Sequence, residues 1–418
     1  MAAESDSPAL RTLDRELEIL VKDPERPIAS LSVVAIRDGR VVYERQFGFR
    51  HIDKADPAKA STLYRVASIT KLVTALGVMR LAEEGKLDLD EDIGKYLGYR
   101  LRNPHFPDTP LTLRSLLSHT SSLRDDAGYV FGPGHDMRRF LESGGKLWSP
   151  KAPPGAYFAY CNLASGVIGT VMERVTGERF DRLMRRLVIA PLGMSGGFNV
   201  GELPAERVGD IATLYRKATA GDEQVWNPKG PWIAQSDDYA AKAPANRAPP
   251  NYVIGSNGAL MSPQGGLYAS ATDLARVMRM LMNRGTIDGK RFLDPRTVDA
   301  MFVRQWKWNG TNGESWNETM QAWGLGNQQW VDASAPGKGD RLVEGGGFTP
   351  VGHTGDAYGL HGGFFMDRDK REGIVFLAGG TGFDPETEPG QYSGKHRYEE
   401  RIVDAIYRRA LRNVAGSP

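Results

Sequence analysis

Ser68 and Lys71 stand three residues apart in VASITKLVTALGVMRLAEEG, residues 66–85. In a helix, positions i and i+3 lie about 60° apart around the axis and share a face. If Ser68 opens such a helix, its Oγ meets the lysine ammonium. A lysine held away from water loses proton affinity and can accept a proton from a neighbour. One that stays charged stabilises an alkoxide or a tyrosinate instead. The helix N-terminus adds free N–H groups and partial positive charge. These features suit a nucleophilic serine. The plain alternative is an N-capping serine and a lysine that reaches back to water, and S-x-x-K by itself does not decide between them.

Two further groups have chemical potential. Tyr160-Cys161-Asn162 precedes a stretch with Leu163, Val167, Val171 and Val175 in helical register. Asn162 reads either as the cap of that helix or as a ligand-binding amide. Tyr160 reads as a packed aromatic, or as a phenol whose proton affinity falls beside a lysine so that it shuttles protons. The third group is GHTG, Gly352–Gly355. His353 there is an ordinary sheet-edge histidine, or it marks a strand whose free N–H groups help form an oxyanion hole.

These groups need elements to hold them. Residues 10–22 have the pattern of an amphipathic helix. SLSVVAIRDGRVVYERQFGFR reads as two strands joined at Asp38-Gly39. The run from Leu72 to Ala82 is almost wholly apolar, the mark of a helix buried on most sides, with Gly85 as its stop. From about 100 to 250, short helical pieces alternate with Pro- and Gly-rich loops, and 216–252 reads as a long surface loop or lid. SATDLARVMRMLMNRG is an amphipathic helix, its methionines core residues. PVGHTG, YGLHGGFFMD and GIVFLAGG read as three strands, and KHRYEERIVDAIYRRALRN as a closing helix. The expected fold class is therefore α+β. One antiparallel sheet flanked by helices is built from residues 1–99 and 253–418, and a mostly helical lobe from 100–252. The site falls between them, so Lys71 is tolerated because it faces that cleft.

S-x-x-K, then Y-x-N, then H-T-G near the C-terminus resembles the motif set of the serine β-lactamase-like superfamily, which includes class C β-lactamases, DD-peptidases, D-aminopeptidases and β-lactamase-like esterases. LLSHTSSL, GVIGTVMERVTGERF, PLGM and GGLYASATDLARVMRMLMNRG are similar to stretches of that family, and the resemblance covers roughly 28–410. It implies the β-lactamase/transpeptidase-like fold. It implies Ser68 as the nucleophile of an acyl-enzyme, Lys71 as the group that helps remove its proton, and Tyr160 as general base and acid. Asn162 would bind a substrate amide or carbonyl and steady Lys71. His353, Thr354 and Gly355 would border the site, and the N–H groups of Ser68 and Asp356 would form the oxyanion hole. No metal or cofactor is implied.

The sequence departs from the family pattern at His353, where class C β-lactamases and DD-peptidases commonly carry a lysine that binds a substrate carboxylate. A neutral histidine does so less well than a protonated one. This favours an esterase acting on small carboxylic esters. A D-amino-acid peptidase or amidase, or a weak β-lactamase, comes second, and a penicillin-binding sensor that acylates without turnover is an alternative of another class. Cys161 stands where a small hydroxyl residue is usual and is expected to be buried and inert. GMSGG, 193–197, fits the nucleophile elbow G-x-S-x-G, but no strand leads into it and no helix pattern follows, so Ser195 reads as a loop serine.

Bulk properties exclude other classes. Lys and Arg number 53 against 51 Asp and Glu, for a net charge of +2, which gives no global case for nucleic acid or an anionic membrane. No apolar run reaches the about 18 residues of a membrane span. The seven histidines show no metal-ligand spacing, and His119 in HTS reads as a helix end. The tryptophans at 226, 232, 306, 308, 316, 323 and 330 fall in loop-rich segments, as lid packing or an acyl-pocket wall. MAAESDSPALRTLDRELEIL lacks the basic start and apolar core of a signal peptide. The expected compartment is the cytoplasm, or the periplasm if such a peptide was trimmed.

Overall fold

The computed structural model describes residues 7–239 and 242–413. Helix α1, Pro8–Val21, is capped by Ser7, whose side chain accepts the Leu10 N–H. The chain then forms a hairpin of β1, Ser30–Arg37, and β2, Arg40–His51. Asp38 and Gly39 turn it with φ of 53° and 74°, the left-handed pair expected of Asp-Gly. A short β3, Asp56–Pro57, pairs with β2.

α2 follows as Thr70–Glu83, and Gly85, at φ 70°, ends it. It is buried along nearly its whole length, in keeping with an apolar run on all sides. Gly77 explains how it fits: a Cβ there would stand 2.5 Å from the Met184 sulfur. α3, Leu163–Thr176, crosses the middle of the molecule and stops at Gly177 in the left-handed region.

The stretch 216–252, expected as a loop, begins instead as sheet. β4, Leu214–Thr219, pairs with β5, Asp222–Trp226, and with β6, Trp232–Ser236. These strands lack clean apolar alternation because most of their residues are only half-buried. Residues 240 and 241 of this stretch lie outside the described residues.

α4, Ala271–Met282, is closed at its start by a reciprocal Ser270–Asp273 capping box. Three short strands come next: β7, Trp306–Lys307, β8, Ala322–Trp323, and β9, Gln328–Gln329. The C-terminal strands are β10, Val351–Ala357, β11, Leu360–Asp367, and β12, Glu372–Ala378. Gly380–Thr381, β13, adds in parallel to β4. α5, Arg397–Ile406, ends the regular structure and continues into a wider turn to Leu411.

The main sheet has nine antiparallel strands in the order β7-β8-β9-β10-β11-β12-β1-β2-β3. Chain ends therefore meet at its centre: Leu31 opposes Ala378, and Ile36 opposes Gly373. Both faces are covered, and the alternation along β1 shows it. Leu31, Val33 and Ala35 pack with α1 and α5, whereas Val34 and Ile36 join the larger core containing α2, α3 and α4. This is the α+β, β-lactamase/transpeptidase-like architecture expected. Its nine strands come from residues 30–57 and 306–378, leaving the middle of the chain to build the opposite wall of the cleft.

Candidate active site

Ser68 lies in a single helical turn, Ala67–Ile69, that runs directly into α2. Its approach is fixed from behind. Tyr64–Arg65 pair with Tyr268–Ala269, and the Val66 N–H donates to the Leu267 carbonyl at 2.9 Å. Arg65 forks onto Asp237 at 3.0 and 2.6 Å. Ala67 then takes a positive φ of 46°. That conformation costs a non-glycine residue about 1 kcal/mol or more, and such strain concentrates where a reactive side chain must be presented.

One turn on, Lys71 is 4% exposed. Its Nζ donates to Ser68 Oγ at 3.0 Å, to Asn162 Oδ1 at 2.8 Å and to the Gln264 carbonyl at 2.9 Å. All three protons of the ammonium thus have acceptors. Burial still disfavours the charge and pulls the lysine down to about 7, with Asp125 opposing the shift. Lys71 does not line the cleft, as its tolerance in an apolar helix suggested. It sits beneath the floor, and its acceptors, not water, make it tolerable.

Tyr160 lines the cleft with Ser68, and the Lys71 ammonium stands 4.8 Å from its ring centre. The sequence suggested that the lysine would lower the phenol's proton affinity. The opposite holds: burial raises it. Burial thus moves the two groups in opposite directions, Lys71 down and Tyr160 up.

Asn162 precedes α3 but does not cap it through its side chain. Its amide oxygen goes to Lys71 and its Nδ2 donates to Asp125 Oδ2 at 2.9 Å. Asp125, which no motif singles out, also accepts the N–H of Asn162 and of Leu163, each at 2.8 Å. The Cys161 thiol is buried, donates to the same carboxylate at 3.3 Å, and is held protonated by its burial. His119 is a second residue that the motifs miss. It is a buried residue at φ 56° that accepts the Cys161 N–H on Nδ1 at 3.1 Å and stacks on Tyr160 at 4.4 Å. Trp323 packs edge-on against His119, His353 and Tyr160, at 74°, 89° and 74°. Trp316, by contrast, is exposed and reaches the cleft.

β10 forms the facing wall. Gly355 is needed there, since a Cβ would stand 2.6 Å from the Val66 carbonyl oxygen, on the segment leading to Ser68. Thr354, Gly355 and Asp356 line the cleft with Ser68, Tyr160 and Asn162. His353 donates from Nδ1 to the Thr354 carbonyl at 2.6 Å, and its Nε2 is buried without a hydrogen-bond partner. Burial, with Lys71 nearby, lowers it to about 3. It is neutral at any ordinary pH, so it supplies no charge for a substrate carboxylate.

The cleft has a volume of about 1000 Å³. Ser195 is not in its wall. Its N–H instead donates to Asp273 at 3.0 Å. Among the described residues, His361, His396 and Glu399 form a group able to hold a metal ion, and all three face the same cleft. His361 comes from a different element, 35 residues before His396, and for that reason spacing did not reveal the group.

Comparison with known proteins gives the family and the fold. Esterase EstB of Burkholderia gladioli is 31% identical over 271 residues, spanning 62% of this chain and 66% of EstB, just under two thirds of its length. Among solved structures, EstCE1, described as a hydrolase with promiscuous acyltransferase activity, matches with a TM-score of 0.64 at 22% identity, covering 96% of this chain and all of that one (100%). A class C beta-lactamase mutant matches with a TM-score of 0.66 at 16% identity over 98% and 99% of the two chains. No helix among the described residues is long and apolar enough to cross a membrane. The Beta-lactamase family model matches residues 13–395, the span that contains the nine-stranded sheet and every residue bonded to the Lys71 side chain, and the chain accordingly belongs to that family.

Proposed function

We propose that this chain is a serine hydrolase working through an acyl-enzyme, and that its substrates are small carboxylic esters. The observation that carries the reading is Lys71, held at about 7 with its Nζ 3.0 Å from Ser68 Oγ. A neutral Lys71 takes the Ser68 proton as Oγ attacks the ester carbonyl. The N–H groups of Ser68 and Asp356 are the donors for the oxyanion, Ser68 being in a first helical turn where N–H groups have no intrahelical acceptor. As the C–O bond breaks, the leaving alkoxide takes a proton through Tyr160, which Lys71 replenishes. Water then deacylates the serine by the same route in reverse. Asn162, fixed by Asp125, keeps the lysine in place.

The ester preference rests on His353. A neutral imidazole offers a β-lactam or peptide carboxylate no ion pair. The printed names of EstB and EstCE1 agree with this reading. A second reading, hydrolysis of D-amino-acid peptides or amides, has one observation in its favour: Arg247 and Lys395 also line the cleft and are cations on other walls.

The test is kcat/KM on a short-chain nitrophenyl ester, a chromogenic cephalosporin and a D-alanyl anilide, measured side by side with Ser68→Ala as control. Ester preference is expected. Preference for either of the others transfers the carboxylate-binding role to Arg247 or Lys395. Stoichiometric acylation by penicillin without turnover on any substrate marks a sensor.

A further inference from the structure

We propose that His361, His396 and Glu399 form a binding site for a divalent transition-metal ion of the zinc type in the wall of the cleft, beside Asp356. The site joins two elements: His361 belongs to β11, while His396 and Glu399 stand at the start of α5. One ligand atom from each lies within 4.8 Å of the other two.

Glu399 is the reason to look for a cation. It is a buried carboxylate, 7% exposed, grouped with two imidazoles, and a buried carboxylate favours positive charge beside it. It accepts the His396 N–H at 3.3 Å, and His361 Nδ1 is 3.8 Å away. That separation exceeds an ordinary hydrogen bond and approaches the about 3.3 Å between ligand atoms on a tetrahedral ion with bonds near 2.0–2.1 Å. The ion draws the side chains together rather than pushing them apart.

The second nitrogen of His361 supports the assignment. Nε2 faces Asp356 Oδ1 at 3.7 Å, so an ion on Nδ1 leaves Nε2–H pointing at a carboxylate. Metal-bound imidazoles are regularly oriented in this way. His396 Nε2 lies 3.9 Å from Glu386 Oε1, which puts an exposed carboxylate within reach as a fourth ligand. All of these residues line the cleft, which gives the ion a path from solvent. Two imidazoles with carboxylate oxygen suit zinc, nickel or cobalt and not magnesium or calcium, which prefer oxygen alone. Lys395 acts electrostatically on both His361 and Glu399 and opposes the ion. The bound ion would bring positive charge to a cleft in which His353 contributes none.

Titration calorimetry on the chelator-treated full chain with zinc chloride, near neutral pH, tests this. One ion per chain is expected, with Kd of about 10 µM or tighter. His361→Ala and Glu399→Gln should each weaken it at least about tenfold, and Asp356→Asn by less. His396→Ala, at a half-buried position, serves if either of the others fails to fold by circular dichroism. Magnesium in place of zinc should give no saturable heat. The site is refuted if zinc does not saturate below about 1 mM, or if binding is unchanged in His361→Ala and His396→Ala, which would locate it on other histidines.

Discussion

Ser68 and Ser195 both stand in patterns associated with nucleophilic serines, yet their surroundings have nothing in common. Ser68 has a buried lysine at 3.0 Å, a phenol beside it and a cleft above. Ser195 has a backbone hydrogen bond to Asp273 and no place in that cleft. The glycines that made GMSGG look like an elbow have packing reasons. Gly193 takes a φ of 62° in a turn. A Cβ on Gly196 would stand 1.8 Å from the Tyr268 carbonyl oxygen, and Gly197 exchanges hydrogen bonds with Tyr268 at 3.1 and 2.9 Å. The carboxylates near the two serines serve different ends. Asp125 holds the amide that holds Lys71, whereas Asp273 caps α4. A motif reports local backbone geometry. Reactivity comes from the partners that the rest of the chain brings in.

That contrast can be broken by substitution. Ser68→Ala should lower kcat/KM on the ester by about 10⁴-fold or more, with Ser195→Ala within about twofold of wild type; the reverse pattern moves the nucleophile. Lys71→Arg should cost about 10³-fold, because a guanidinium keeps the charge but cannot take a proton. More than a tenth of wild-type activity in that variant would make Lys71 a fixed charge and not a base. Asp125→Ala should lower kcat by about 10²-fold while the protein stays folded, since Asn162 loses its anchor. Equal losses in KM alone would assign Asp125 to substrate binding.

The pH dependence sharpens the same point. Activity should fall about tenfold per pH unit below about 7 and level off above it, because only neutral Lys71 accepts the serine proton. The sign for stability follows separately. Lys71 binds its proton less tightly folded than unfolded, so the unfolded chain holds more protons between about 7 and its ordinary value of 10.5. Stability relative to Lys71→Met should rise with pH across that window and stay flat below it, as measured by denaturant titration. The smallest effect belongs to the other carboxylate: Asp273→Ala should cost about 1–2 kcal/mol of stability through the lost α4 cap, with the activity of the folded enzyme unchanged.

Much of the frame is legible in the sequence, because local rules govern it. Asp38-Gly39 demands a hairpin, the run after Lys71 demands a buried helix, and SATDLARVMRMLMNRG shows an amphipathic one. S-x-x-K was readable for the same reason, being a short helical spacing, and Y-x-N because it stands directly before a helix in clear register. Asp125 and His119 were not. They act on 160–163 from loops with irregular backbone, and nothing local distinguishes them from turn residues. The two-residue strands β7, β8 and β9 are too short to show a period. Proton affinities were the least legible. The resemblance implies that Lys71 and Tyr160 meet, but only the surrounding burial decides the direction in which each shifts.

The central position of β1 has a consequence for how the protein is made. Its hairpin partner β2 leaves the ribosome almost at once, but the other edge of β1 pairs with β12, near the end of the chain. At about 5–20 residues per second, the backbone from Leu31 to Ile36 waits on the order of tens of seconds with one row of hydrogen-bonding groups open. During that interval α2 and α3 can assemble with each other but not on a finished sheet. Folding of this chain is therefore gated by its last strands, and a nascent chain stalled before Glu372 presents an unpaired apolar edge to whatever else is in the cell.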